Sequence, residues 1–97
     1  MNAKHIEKIT PILKRQGVTK AAVFGSVARG TAKRGSDIDL LINLKKGKTL
    51  FDMIRLKFEL EQMLKKKVDL VEYSAIRPVI RNRILAEQKT IYGQFLF

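Results

Sequence analysis

The run Ser36-Asp37-Ile38-Asp39-Leu40-Leu41-Ile42-Asn43-Leu44 restricts the fold of this chain more than any other segment. A strand sends successive side chains to opposite faces. A strand from Asp37 to Leu44 therefore carries Ile38, Leu40 and Ile42 on one face and Asp37, Asp39 and Leu41 on the other. The first face demands apolar cover. The second holds two carboxylates whose Cα atoms lie ~6.5–7 Å apart, as the strand rise dictates. Two such groups on one pleat repel each other unless a cation draws them together. On its own the pair has a bland reading too, with Asp37 at the strand entry and Asp39 on a solvated face.

The flanking segments fit a small sheet with helices on it. Asn2 caps a helix to about Arg15, with Ile6, Ile9, Ile12 and Leu13 at helical spacing and Gln16-Gly17 at its end. Pro11 within it predicts a kink or a later start. Lys20 to Phe24 reads as a short buried strand ended by Gly25, and Gly25 to Gly35 as a loop with at most one helical turn. Thr49 caps a long helix to about Leu64, with Asp52 in the capping-box position. Leu50, Phe51, Ile54, Phe58, Leu60, Met63 and Leu64 give that helix a broad apolar stripe, and Phe51, Met53, Phe58 and Met63 read as core. A third strand spans Lys67 to Tyr73. Ser74 caps a last helix to about Gln88, with Pro78 in its first turn, and Lys89 to Tyr92 forms a short edge strand.

The loop between the first two strands is too short for a parallel crossover, so they pair antiparallel. The fold class is α+β: a small mixed β-sheet with helices packed on it, one domain over residues 1–97. Without cysteine, no disulfide framework and no thiolate metal site can form. No apolar run approaches the roughly 20 residues of a membrane span, and Met1-Asn2-Ala3-Lys4-His5 lacks a secretory core. A soluble, cytoplasmic protein is expected. The net charge of +11 attracts polyanions such as nucleotide phosphates, RNA or an acidic protein. The same charge also suits a lysine-rich solvated surface, so it decides nothing about nucleic acid by itself.

The chemistry gathers around Gly25-Ser26-Val27-Ala28-Arg29-Gly30, just upstream of the aspartate pair. Gly25 lets the backbone turn sharply and approach a ligand closely. Ser26 brings a hydroxyl and an amide to the start of a turn, where phosphate oxygens are favoured. Arg29 can add a bidentate phosphate contact. Gly-Ser alone is only a turn signal. A phosphate-cradling loop preceding a one-faced carboxylate pair is far more specific, because it sets donors and a cation around one triphosphate. Asp69 interrupts Val68 and Leu70-Val71 in a strand expected beside Asp37 to Leu44. A charge in such a run is costly unless it is paired, metal-bound or on an edge facing water. It can ligate a metal and take a proton from an attacking hydroxyl.

Gly-Ser-x-Ala-Arg-Gly followed by Ser-Asp-x-Asp-Leu closely resembles the signature of the minimal nucleotidyltransferases (MNT) of the DNA polymerase beta superfamily. More narrowly, the chain resembles the antitoxins of HEPN/MNT toxin–antitoxin pairs, over nearly its whole length. The resemblance implies that Gly25 and Ser26 hold the nucleotide phosphates and that Asp37 and Asp39 bind Mg²⁺. Asp69 becomes the third carboxylate ligand and base, and Arg29 assists with phosphate or partner. It also implies the reaction, transfer of AMP from ATP to a tyrosine of a HEPN-type RNase toxin.

Two alternatives remain at this stage: a binding-only antitoxin with an inactive site, and a nucleotidyltransferase acting on a small molecule or RNA end. The chain looks too short to enclose a small acceptor alone, which favours a protein acceptor. His5 reads as a helix-face residue, while Lys4, Lys8, Arg77, Arg81 and Arg83 read as solvated. Phe95-Leu96-Phe97 is an apolar end that docks on the sheet or a partner, or frays.

Overall fold

The computed structural model describes residues 1–31, 35 and 37–93. Ser36 of the signature and the apolar end Phe95-Leu96-Phe97 lie outside the described residues. Four strands, β1 (Val18–Phe24), β2 (Ile38–Leu44), β3 (Val68–Glu72) and β4 (Lys89–Tyr92), form one sheet in the order β3-β2-β1-β4. β1 pairs antiparallel with both β2 and β4, and β2 pairs parallel with β3. The mixed sheet and the antiparallel first pair are as the sequence predicts. β1 starts earlier than expected, at Val18.

Both central strands are covered on two faces. Leu40, Leu41 and Ile42 are all buried, as are Ala21, Ala22 and Val23. α1 (Ala3–Arg15) and α3 (Leu50–Leu64) close the larger core, in which Ile9, Ile12 and Leu13 meet Leu56, Leu60 and Leu64 against Leu40 and Ile42. On the opposite face Leu41 and Ala22 pack with Ile76, which follows the 3₁₀ turn Tyr73–Ala75, and with Ile84 and Leu85 of α4 (Pro78–Glu87). Leu41, which shares a face with Asp39, is thus buried rather than solvated.

α1 is capped as predicted, the Asn2 Oδ1 accepting the His5 amide at 3.0 Å. The helix nevertheless starts at Ala3 and runs through Pro11, so the later start does not occur. Arg15 and Gln16 at its end both donate to Glu59, stapling α1 to α3. At the start of α3 the Asp52 carboxylate accepts the Thr49 amide at 2.7 Å and the Thr49 hydroxyl at 3.1 Å.

Two expectations need correction. The stripe on α3 is not one buried face: Leu50, Phe51, Ile54, Phe58 and Met63 are exposed, Phe51 to 77%. Of that stripe Leu60 and Leu64 are in the core as expected, joined by Leu56, with Met53 half-buried beside them. α3 is apolar around more of its circumference than one sheet can cover. Ser74 also caps nothing, since it falls in the 3₁₀ turn, and α4 begins four residues later with Pro78 at its first position. Proline there lacks only an amide that the first turn would leave unpaired.

Candidate active site

β1 and β2 bring the two halves of the motif together. Phe24, the last residue of β1, pairs with Asp39 of β2. The chain then turns at Gly25 into α2 (Gly25–Arg29), a five-residue helix where at most one turn was expected, ended by Gly30 at φ +75°. Gly25 has φ +69°, and a Cβ built on it would collide with Asp39 Oδ2. Only glycine supplies both the left-handed backbone and the room for that carboxylate. No side chain caps the first turn of α2, and the Gly25 turn that leads into it lies against Asp39.

Asp69 completes the cluster from the other side. In the parallel register of β2 and β3, Asp39 stands opposite Asp69. Burial pushes the Asp39 carboxyl up from its ordinary value, followed by the charges of Asp69 and Asp37 and a hydrogen bond with Asp69, while Arg29 pulls it back. Asp39 therefore feels Asp69, Asp37 and Arg29 together. Asp37 is exposed and lies just ahead of β2 rather than inside it. Asp69 is exposed too, because β3 is an edge strand. Its cost of burial is avoided in the way an edge strand allows, one of the readings the sequence left open, and β3 does lie beside β2.

Among the described residues no three carboxylates or histidines are gathered tightly enough to hold a metal unaided. The arrangement still suits a hard cation. Asp39 and Asp69 are mutually repelling oxygen donors on one open face, and Mg²⁺ characteristically takes one or two carboxylates and completes its shell with water and phosphate oxygens.

Arg29 does not reach outward. It pairs with Glu87 of α4 at 3.1 Å, tying α2 across to the last helix. Glu87 was not anticipated from the sequence, because only the packing of α4 beside α2 makes the two neighbours. Also unanticipated are Lys57, which lines the cleft together with Asp69, and Lys65, Lys66 and Lys67 around Asp37. The lysine run is visible in the sequence, but nothing local says that it borders carboxylates.

Residues 7–94 match the domain described as polymerase beta nucleotidyltransferase. The chain belongs to that family. As a polymerase beta-type nucleotidyltransferase it is 49% identical over 88 residues to a Methanocaldococcus jannaschii protein provisionally named a protein adenylyltransferase, covering 90% of this chain and 95% of that one. It is 40% identical over 73 residues to the protein adenylyltransferase MntA of Thermococcus cleftensis, covering 75% and 74% of the two chains. Its fold superimposes with a TM-score of 0.78 on a chain of a toxin–antitoxin complex crystallised with AMP-PNP, 25% identical, covering 92% of this chain and 73% of that one. The minimal-nucleotidyltransferase fold and the enzyme class are those the motif implied. No helix of the described residues is long and apolar enough to cross a membrane.

Proposed function

We propose that this nucleotidyltransferase is an antitoxin that transfers AMP from ATP to a tyrosine of a HEPN-class RNase toxin and thereby silences it. The observation that carries the reading is Asp39 facing Asp69 across β2 and β3 with the Gly25 turn packed against the same carboxylate. The Gly25–Asp39 contact and the Asp39–Asp69 pairing support a single substrate that spans the turn and the carboxylates. The named MntA relative and the AMP-PNP-bound toxin–antitoxin neighbour support a nucleoside triphosphate as donor and a protein as acceptor.

In this reading Gly25 and Ser26 hold the triphosphate at the start of α2. Asp37, Asp39 and Asp69 hold Mg²⁺, which when bound neutralises phosphate charge and polarises the reacting phosphoryl group. The tyrosine oxygen attacks the α-phosphorus, and an O–P bond forms as the bond from that phosphorus to the pyrophosphate oxygen breaks. Asp69 takes the phenolic proton from its exposed position on the edge strand β3. Arg29, held by Glu87, counters the charge around Asp39. Positioning and charge neutralisation suffice, because the transferred group needs no covalent help from the protein. The implied compartment is the cytoplasm.

The test is to incubate the protein with ATP labelled in its α-phosphate, Mg²⁺ and the product of the neighbouring gene. Label should enter that product with release of pyrophosphate, and Asp37→Ala plus Asp39→Ala should abolish both labelling and neutralisation. An unlabelled partner with the wild-type enzyme overturns the reading. Neutralisation that survives the double substitution identifies occlusion instead of transfer.

A further inference from the structure

The carboxylates open onto two contiguous clefts between α3 and the β3 edge. One, of about 490 Å³, is largely apolar, with Leu50, Ile54, Leu70 and Val71 around Asp39 and Asp69. The other, of about 780 Å³, contains Lys57, Lys65, Lys66 and Lys67 around Asp37 and Asp69, with Phe58 on its wall. Lys57 and Asp69 line both, so the two form a single groove with Asp69 at the joint.

The apolar half begins at Phe24, beside the phosphate-holding turn, and the basic half, which no β1 residue lines, continues past Asp69 on the β3 side. Gly25 and Ser26 follow β1, whereas the basic half borders the start of β3, and β2 with its aspartates runs between them. In-line displacement requires the entering oxygen and the leaving pyrophosphate on opposite sides of the phosphorus. With the triphosphate on the β1 side, the acceptor enters from the β3 side, through this groove. Lys65, Lys66 and Lys67, confined to the basic half, are therefore placed for the acceptor and not for the leaving group, with Lys57 at the joint.

We propose that the groove binds the acceptor as a protein segment whose tyrosine is flanked by acidic residues. The ring lies against Ile54 and Phe58, and the acids sit on Lys57, Lys66 and Lys67. This rests on the protein-modifying reading above and adds the acceptor's local chemistry. Charge complementarity supports it: Glu61, the one acid in the basic half besides Asp37 and Asp69, is already engaged by the Val68 amide at 2.9 Å. Phe24 and Phe58, one in each half, are the aromatics among the described lining residues, fewer stacking platforms than single-stranded RNA calls for, which favours a peptide. The exposed ridge of Phe51, Ile54 and Phe58, 77%, 45% and 61% accessible, extends the apolar half outward along α3.

The test uses fluorescent peptides carrying a tyrosine between two glutamates on each side, the same with lysines, and the glutamate peptide with alanine for tyrosine. Binding is read by anisotropy with Mg²⁺ and AMP-PNP present, beside a labelled RNA dodecamer. The glutamate–tyrosine peptide should bind at least about tenfold tighter than either other peptide, a difference of ~1.4 kcal/mol. Lys57→Glu plus Lys66→Glu should remove that preference, and Phe58→Ala should weaken binding several-fold. Lys45→Glu plus Lys46→Glu, in the turn beyond the far end of β2, should change it less than about twofold.

Equal losses from both lysine pairs would mean net charge alone attracts the peptide, and the proposal fails. It also fails if the lysine peptide binds equally well, or if the RNA binds more tightly with the same sensitivity to Lys57 and Lys66. Transfer of AMP, measured in parallel, separates the two ideas. Groove-dependent binding without any transfer overturns the protein-modifying reading and leaves the groove's specificity standing.

Discussion

Asp39 and Asp69 meet across the parallel β2–β3 ladder, and the Asp69 charge adds to the burial that makes Asp39 costly to ionise. Such a contact weakens the fold and is useful only when a cation or proton relieves it. Asp39→Asn should therefore leave the melting temperature unchanged or slightly higher in metal-free buffer. Nucleotidyl transfer should fall on the order of a hundred- to a thousandfold. Thermal unfolding with EDTA and labelled-ATP transfer measure the two effects. A clear loss of stability would mean that Asp39 serves the fold instead.

Gly25 and Gly30 both have left-handed backbones, but only Gly25 has a neighbour where its Cβ would be. Alanine at either position should cost roughly 1–2 kcal/mol for the backbone alone. Gly25→Ala should add the displacement of the Asp39 carboxylate and lose most transfer activity, while Gly30→Ala keeps most of it. Urea unfolding combined with transfer assays distinguishes them, and equal activity in the two variants would contradict the close packing of Gly25 on Asp39.

The two apolar faces of α3 should behave oppositely. Leu60 is fully buried, and Leu60→Ala should destabilise by about 2–5 kcal/mol. Phe51 is largely exposed, and Phe51→Ala should stay within about 0.5 kcal/mol. Chemical unfolding midpoints decide the matter. A large loss at Phe51 would show that the outer face is covered in the isolated protein.

Acid should weaken the start of α3. The Thr49 amide donating to Asp52 holds that carboxyl below its ordinary value, so its stabilising effect is complete above the unfolded-state value of about 4 and fades as pH falls through the lower folded one. Glu59, lowered chiefly by the Arg15 hydrogen bond, acts in the same direction. The urea midpoint should drop from pH 5 to pH 2.5, and Asp52→Asn should flatten part of that drop. An unchanged profile in the variant would remove Asp52 from the account.

Much of the site was legible because its signals are local. Alternation over Ile38 to Ile42 determines which side chains share a face, and Gly25 marks where a strand must turn, whatever packs around them. Asn2 and Asp52 announced two helix starts for the same reason, since a cap acts within three residues. Ser74 misled because a 3₁₀ turn and a helix entry draw on the same short-range chemistry.

What only the tertiary structure decided involves partners distant along the chain. Helical spacing groups Leu56, Leu60 and Leu64 on one face and Phe51, Ile54 and Phe58 on another, yet it cannot say which face meets the sheet. The register that sets Asp69 opposite Asp39, and the packing of α4 that gives Arg29 its Glu87, are likewise products of the assembled sheet. By itself the sequence determined the motif's residues, their shared faces and the enzyme class they imply. The sheet decided how the carboxylates meet and which surfaces stay open, because burial depends on what every other element has already covered.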